Sequence, residues 1–190
     1  MNNASNTGIT YQLIRSRRKT LGMEIRDGKV IVRAPLRCSK AEIDRFVLAH
    51  KSWLEKHLSK AREAQQEADD QGRLTMEEIR ELGEEALRVI PERVRHYAPL
   101  IKVNYGRITI RCQKTRWGSC SSKKNLNFNC LLMLTPPEVI DSVVVHELCH
   151  LKEMNHSPAF YAEILRVYPE YHKWDQWLKK HGPAIMKRVY

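Results

Sequence analysis

The stretch VVVHELCHLKEMNHSPAF (residues 143–160) carries three histidines, one glutamate and one cysteine within a few turns of chain. On an α-helix, residues four apart lie about 40° from each other around the axis and one turn along it. His146 and His150 therefore share a face, and Glu147 lies beside that face. Two such imidazoles can bind one zinc ion while the glutamate acts as a general base. The stretch predicts a metal site on a helix.

A third ligand is expected, because catalytic zinc sites combine three protein ligands with one open position. A continuous helix would turn His156 away from the metal face, so the chain has to turn before it. Asn155 is predicted to end the helix in a left-handed conformation. Ser157-Pro158 is predicted to cap and open the next helix. His156 is favoured as the third ligand, with Glu163 and Glu170 as carboxylate alternatives.

The flanks of the motif predict how this helix is held. Two prolines lie in its first turn, and an apolar stripe is expected to bury it, formed by Val139, Ile140, Val143 and Val144. Cys149 lies off the ligand face, so a small buried thiol is its expected role. Glu153 is expected to face solvent at the helix end.

The composition fits one domain, or one domain with a sizeable appendage, because 190 residues at 42% hydrophobic can form a real core. The sequence shows neither a secretory signal nor an apolar run of about 18–20 residues, so no membrane association is expected. Five cysteines without a CxxC pair favour reduced thiols and a cytoplasmic location.

The net charge of +11 is concentrated outside residues 60–97, in the N-terminal and C-terminal thirds. Such a surface attracts nucleic acid, nucleotides or acidic peptides, or only keeps the protein soluble. The basic residues considered near a cleft are Arg15, Arg17, Arg18, Lys19, Lys114, Arg116, Lys123 and Lys124.

The N-terminal part is predicted to be a small antiparallel sheet followed by a helix. Three β-rich runs, 9–16, 20–26 and 29–35, form the sheet, with Asp27-Gly28 as a two-residue hairpin turn. A capping box, Ser39 with Glu42, opens a helix that continues to residue 66. The residues expected to be buried on this helix are Ile43, Phe46, Val47, Trp53, Leu54 and Leu58. Residues 1–8 are expected to be disordered, and 9–72 to form a subdomain.

Residues 73–190 are predicted to form the catalytic domain. A second capping box, Thr75 with Glu78, opens a helix to about His96. Strands follow at 101–106, 107–113 and 126–132, and helices at 136–154, 158–167 and 170–181. The class is α+β with a helical C-terminal third.

A second motif, RWGSC (116–120), lies on a loop ahead of the metal helix. Arg116 is a candidate for binding substrate, and Trp117 is expected in the core. The strand LNFN (126–129) is expected to line the cleft and offer its edge to an extended peptide. The candidate substrate-binding residues are Arg116, Ser119, Asn127 and Tyr161.

KTRWGSCSSKKNLNFNCLLMLTPPEVID (114–141) and VVVHELCHLKEMNHSPAFYAEILRVYPEY (143–171) together resemble the YgjP-like metallopeptidases. The resemblance implies a zincin-like catalytic domain preceded by a smaller β-rich part. It implies one zinc ion per chain on His146, His150 and His156, with Glu147 as the catalytic base.

The expected function is a zinc-dependent hydrolase, in first place a metallopeptidase in which a zinc-bound water activated by Glu147 attacks a peptide carbonyl. Its partner would be a peptide or protein substrate. One alternative is a metal-dependent pyrophosphohydrolase of nucleoside triphosphates, of UTP type. The other is a nucleic-acid-associated binding protein or protease.

Overall fold

The structure, a computed structural model, describes residues 2–4, 8–26 and 28–189. The chain divides into two compact units, Met1–Gln66 and Glu67–Tyr190, and each has its own buried apolar cluster. The predicted α+β class is confirmed. The predicted boundary between residues 72 and 73 stays a prediction. Among the described residues, no helix is both long and apolar enough to cross a membrane.

The first unit contains a four-stranded sheet in the order β1-β2-β4-β3. Its strands are β1 (Asn2–Ala4), β2 (Thr10–Ser16), β3 (Gly22–Arg26) and β4 (Lys29–Pro35). The expectation of a wholly antiparallel sheet is wrong, because β2 and β4 pair in parallel. The reason is the connection after β2, which places β3 beyond β4, so that β4 returns between β2 and β3.

The predicted hairpin joins β3 and β4, which pair antiparallel with Arg26 opposite Lys29. Gly28 has φ +70°, the left-handed region that a two-residue turn requires, while Asp27 lies outside the described residues. Of the segment expected to be disordered, β1 forms a short antiparallel pairing with β2, which the sequence did not predict. Gly8 is also described, and the remainder of 1–8 is not.

The helix predicted after the sheet forms two helices, α1 (Lys40–Ala49) and α2 (Lys51–Gln71), which meet at His50. The capping box of Ser39 and Glu42 is confirmed. Ile43, Val47 and Leu54 are buried as expected, but Trp53 is 42% exposed. Leu54 follows Val47 by seven residues, or about two turns, so it lies on the buried side, whereas Trp53 lies about 100° away from Leu54 around the axis.

The second unit begins with α3 (Met76–Ile101), opened by the predicted capping box of Thr75 and Glu78. The helix runs through Pro91 and ends with Lys102 in a left-handed conformation. The strand predicted at 101–106 is therefore wrong. A row of apolar residues along one side keeps the helix against the core, namely Ala86, Ile90, Val94, Ala98 and Ile101.

A three-stranded sheet follows, in the order β5-β7-β6, with β5 (Ile108–Arg111), β6 (Gly118–Cys120) and β7 (Leu126–Asn129). β7 is the central strand, parallel to β5 and antiparallel to β6. The expectation that LNFN offers its edge to a peptide is wrong, because both of its edges are paired. β6 is an edge strand, and it contacts the helix that carries His146 and Glu147.

Three helices complete the unit after a 3-10 helix at Cys130–Leu134: α4 (Pro137–Cys149), α5 (Pro158–Val167) and α6 (Tyr171–Lys187). The expected burial of the α4 stripe is confirmed for Val139, Ile140, Val143 and Val144, and Cys149 is a fully buried thiol. α4 contacts α3, α5, α6 and β6. It is therefore held on several sides, which fixes the direction of the side chains at its C-terminal end.

Candidate metal centre

Three histidine side chains converge at the C-terminal end of α4. His146 lies on the helix, His150 follows its last residue, and His156 lies in the segment before α5. The Nε2 atom of His146 is 3.1 Å from Nε2 of His150 and 3.2 Å from Nε2 of His156. Four nitrogen ligands at about 2.0–2.1 Å from a tetrahedral zinc ion are separated by roughly 3.3–3.4 Å. The two distances are close to this value, and the three ligand atoms all lie within 4.8 Å of one another, so the three imidazoles could hold one metal ion such as zinc.

The segment between α4 and α5 turns the chain so that His156 comes back to His146. α4 ends at Cys149 rather than at the predicted residue 154, and two tight turns follow it. Asn155 is not the predicted left-handed cap, because Lys102 and Lys124 are the non-glycine residues with positive φ in the described part of the chain. Its carbonyl accepts a hydrogen bond from the Ser157 N–H at 2.8 Å, which closes a turn of three residues.

The predicted start of α5 is confirmed, and it fixes the far side of this turn. The Ser157 hydroxyl accepts a hydrogen bond from the Phe160 N–H at 3.2 Å, and Pro158 is the first helical residue. Phe160 is fully buried and its ring lies within about 5 Å of all three imidazoles. The first turn of α5 therefore packs an aromatic side chain against all three histidines.

Two of the three imidazoles have a protein partner behind them. His150 Nδ1 lies 3.1 Å from the carbonyl oxygen of Glu153, and a carbonyl can only accept. Neutral His150 therefore carries its proton on Nδ1 and a lone pair on Nε2. His146 Nδ1 lies 2.8 Å from the hydroxyl of Tyr171, which was not among the predicted site residues. Glu153 was expected to be only a solvent-facing helix-end residue, yet its backbone orients a candidate ligand.

Burial keeps His146 and His150 neutral at ordinary pH. It lowers the pKa of His146 to about 3, and the neighbouring His150 and His156 lower it further. Burial also lowers the pKa of His150. Metal ligation requires unprotonated imidazole. Protons would therefore compete weakly with a metal ion for these two candidate ligands.

Glu147 is 6% exposed and lies against the RWGSC segment. Burial raises the pKa of its carboxyl to about 8, while the charge of Arg116 and a hydrogen bond from the Cys120 N–H act in the opposite direction. A Cβ atom placed on Gly118 would lie 2.6 Å from Glu147 Oε1. The carboxyl of Glu147 therefore occupies space that any side chain at position 118 would fill.

Asn129, which was not among the predicted site residues, holds the RWGSC segment. It is fully buried, and its side-chain amide donates to the carbonyls of Gln113 and Arg116 at 2.7 and 2.9 Å. Its backbone N–H donates to the Trp117 carbonyl at 2.8 Å. The sequence signal was a second asparagine at the end of a strand, LNFN, in which apolar and polar residues alternate. Such a residue needs internal partners when it is buried.

The predicted substrate-binding residues separate into two groups. Ser119 and Asn127 hydrogen-bond to each other at 3.2 Å. Because successive side chains of β6 alternate, Ser119 points away from the face on which Gly118 meets Glu147. Arg116 is exposed beside Glu147, and the Tyr161 ring lies 6.3 Å from that of His156. The structure thus brings Arg116 and Tyr161 to the histidine cluster, and not Ser119 and Asn127.

The two glutamates considered as rival ligands lie in ion pairs. Glu163 contacts Lys152 at 2.6 Å and Arg166 at 2.8 Å. Glu170 contacts Lys173 at 3.2 Å. Neither carboxylate belongs to the group of possible ligand atoms formed by the three histidines.

A cavity of about 230 Å³ opens beside His146 and Glu147. Its apolar walls are Trp117, Val143, Tyr171 and Leu178. Arg116 and Asp175 add one charge of each sign. Trp117 is fixed there by close packing, since a Cβ atom on Gly182 would lie 2.9 Å from its indole.

UTP pyrophosphatase of Escherichia coli (strain K12) is 32% identical to this chain over 60 residues. The match covers 32% of this chain and 36% of that protein, well under two thirds of its length. Among solved structures, the metallopeptidase zymogens abylysin of Pyrococcus abyssi and jannalysin of Methanocaldococcus jannaschii are 22% and 26% identical. They match 48% and 47% of this chain and 93% of their own, with TM-scores of 0.43 and 0.42.

The family model described as YgjP-like, metallopeptidase domain, matches residues 19–85 and 70–181. These two matches together include RWGSC, the histidine cluster and most of the N-terminal unit. They extend over far more than half of the chain. The chain therefore belongs to the YgjP-like metallopeptidase domain family.

Proposed function

We propose that this protein is a zinc-dependent peptidase, with one zinc ion per chain on His146, His150 and His156 and with Glu147 as general base. The observation that carries the proposal is the convergence of three Nε2 atoms next to a buried carboxyl. Membership of a metallopeptidase family gives the broader class, a metal-dependent hydrolase.

The ligand set supports zinc over the hard cations. Imidazole nitrogen suits zinc and other late first-row metals, whereas Mg²⁺ and Ca²⁺ require oxygen ligands. When bound, zinc supplies a Lewis acid that polarises a substrate carbonyl and makes a water molecule more acidic.

Glu147 provides the proton transfer. Its carboxylate accepts a proton from the attacking water and returns it to the leaving amine. A carboxyl whose pKa is raised to about 8 by burial holds a proton more readily than an exposed one. A cation on the adjacent His146 would favour the ionised form needed for the first step. The Cys120 N–H holds the carboxylate in place between the two steps.

The edge of β6 supports an extended peptide as the substrate. Trp117 and Ser121 bond to β7 through their backbone, so the alternating residues Gly118 and Cys120 direct theirs away from it. The Cys120 N–H donates a hydrogen bond to Glu147. The backbone N–H and C=O of Gly118 are then the groups that would pair with a substrate strand. The cavity walled by Trp117, Val143 and Leu178 then receives a substrate side chain next to the bond to be cleaved.

Glu147→Gln tests the proposal, because it keeps the shape of the side chain and removes the base. We expect the variant to retain one zinc ion per chain and to lose peptide turnover by about 10²–10⁴-fold. Glu138→Gln is the matched control, since Glu138 is an exposed residue on the first turn of the same helix. Wild-type turnover by Glu147→Gln would refute the assigned role.

The partial similarity to UTP pyrophosphatase favours one second candidate, hydrolysis of nucleoside triphosphates. Arg116, an exposed cation beside Glu147, is a group that could contact a phosphate there. Release of pyrophosphate from UTP, measured beside cleavage of a peptide library by the same zinc-loaded protein, separates the two activities. The nucleic-acid alternative still rests on net charge, and it stays a prediction, as does the cytoplasmic location.

A further inference from the structure

We infer that Tyr171 is a positioning residue for the metal centre, which orients His146 and directs its Nε2 lone pair towards the ion. The inference rests on the proposed zinc site. Its basis is the 2.8 Å contact between Tyr171 Oη and His146 Nδ1, which joins α6 to α4 across 25 residues of chain.

His146 and His150 differ in the group that their Nδ1 atom contacts. A carbonyl behind His150 accepts only, so this imidazole always presents its lone pair on Nε2. A hydroxyl behind His146 both donates and accepts. Without metal, Tyr171 can donate to Nδ1 while a proton on His146 Nε2 is shared with His150 at 3.1 Å. If a metal ion bound Nε2, the imidazole proton would be on Nδ1, and this N–H would donate a hydrogen bond to the Tyr171 oxygen.

Tyr171 is itself rigidly placed, which a positioning residue requires. It is the first residue of α6, it is 4% exposed, and its N–H donates to the Tyr168 carbonyl at 3.1 Å. Its ring is nearly parallel to that of His146, at 19° and a centroid distance of 6.1 Å. Partners of this kind behind a metal-bound histidine fix its orientation and commonly contribute about 10–100-fold to metal affinity.

The chain offers a matched control in Tyr168. Its hydroxyl also donates to α4, at 3.0 Å from the Glu138 carbonyl, but it contacts none of the three histidines. Tyr168→Phe therefore removes a phenol hydroxyl bonded to the same helix without touching the metal centre. Tyr171→Phe removes the one that holds a candidate ligand.

The test is zinc affinity of the metal-stripped wild type, Tyr171→Phe and Tyr168→Phe, measured by competition with a chromophoric chelator. We expect Tyr171→Phe to bind zinc about 10–100-fold more weakly and Tyr168→Phe to match the wild type. The absorption spectrum of the Co²⁺ form should change in Tyr171→Phe alone. Equal zinc affinity of Tyr171→Phe and wild type would overturn the inference, and so would an equal loss in both variants.

A second measurement needs no variant and decides the matter if Tyr171→Phe does not fold. In ¹⁵N-histidine NMR spectra of the zinc-loaded wild type, His146 should carry its proton on Nδ1 in a hydrogen bond. A zinc-loaded protein with His146 bound through Nδ1 would refute the role of Tyr171 and leave the proposed function standing. A wild type that binds no zinc would refute both.

Discussion

Single residues decide the chemistry of this site more through what lies against them than through their own type. Glu147 becomes a candidate base because it is buried against Gly118 and hydrogen-bonded by the Cys120 N–H. His146 and His150 become candidate ligands because each has a partner at Nδ1. H-E-x-x-H was readable from the sequence since its spacing belongs to one helix. The contacts of Tyr171, Gly118 and Cys120 were not, because these residues come from other elements.

Gly118→Ala should impair catalysis without affecting zinc binding. The new methyl group would lie 2.6 Å from Oε1 and 2.7 Å from Cγ of Glu147, so the carboxyl has to move. A displacement of about 1 Å can cost on the order of 10²-fold in rate. We expect at least a tenfold loss of kcat in peptide turnover, roughly 1.4 kcal/mol in the barrier.

Gly83→Ala is the control for this substitution. Gly83 lies within α3, and a Cβ there would meet nothing within 4 Å. Alanine should stabilise that helix by up to about 1 kcal/mol and leave turnover unchanged. Wild-type turnover of Gly118→Ala would show that Glu147 tolerates displacement, against the argument from close packing.

At the scale of elements, the turn between α4 and α5 is what makes a third histidine ligand geometrically available. Ser157 and Pro158 were identified from sequence because capping is a local property of two or three residues. The left-handed conformation expected at Asn155 was wrong, because the turns after Cys149 already end the helix. The ion pair of Lys152 with Glu163 ties this turn to α5, and its partners are 11 residues apart.

Glu163 should make the protein less stable as the pH falls. Hydrogen bonds from Arg166 and Lys152 lower the pKa of its carboxyl from 4.5 to about 2 in the folded state. The ionised form therefore stabilises the fold above pH 4.5, and this contribution disappears between about pH 5 and 2. Glu163→Gln should cost on the order of 1–2 kcal/mol at pH 7, allowing for solvent screening of the exposed cations, and almost nothing near pH 2.

The measurement is the free energy of unfolding in urea at several pH values, with chelator present so that metal release does not contribute. Glu170→Gln is the matched control, because Glu170 directly precedes α6, its partner Lys173 lies on the first turn of that helix, and both side chains are over 60% exposed. Its effect should stay below about 0.5 kcal/mol at every pH. A pH-independent difference for Glu163→Gln would contradict the ion-pair account.

At the scale of the whole molecule, the metal should act as a cross-link within the second unit. Its proposed ligands come from α4 and from the segment before α5, and the supporting groups come from α6 and from β6. The unfolded chain does not present these groups together. A ligand that binds the folded state alone stabilises it by mass action.

Removal of zinc should therefore lower the thermal unfolding temperature. At a free zinc concentration 100 times the Kd, the stabilisation is about 2.7 kcal/mol. For a protein of this size, 1 kcal/mol corresponds to roughly 2–4 °C in Tm, so we expect a loss of about 5–10 °C with chelator. Zinc added back should restore Tm, and Mg²⁺ should not. His156→Ala should respond to neither chelator nor zinc, and a full zinc response of this variant would exclude it as a ligand.

The sequence by itself determined the features that depend on neighbours along the chain: the helix with His146, Glu147 and His150, the helix caps at Ser39, Thr75 and Ser157, and the β3–β4 hairpin. Spacing of three or four residues fixes these, since helices and tight turns bond within themselves.

Only the tertiary structure decided what depends on distant pairing. It placed β7 in the centre of its sheet, set Gly118 against Glu147, and brought Tyr171 to His146. These contacts join residues 25 or more positions apart or depend on strand order, so no local pattern encodes them. The sequence thus identified the candidate metal ligands, and the packing of neighbouring elements around α4 decided how they are held.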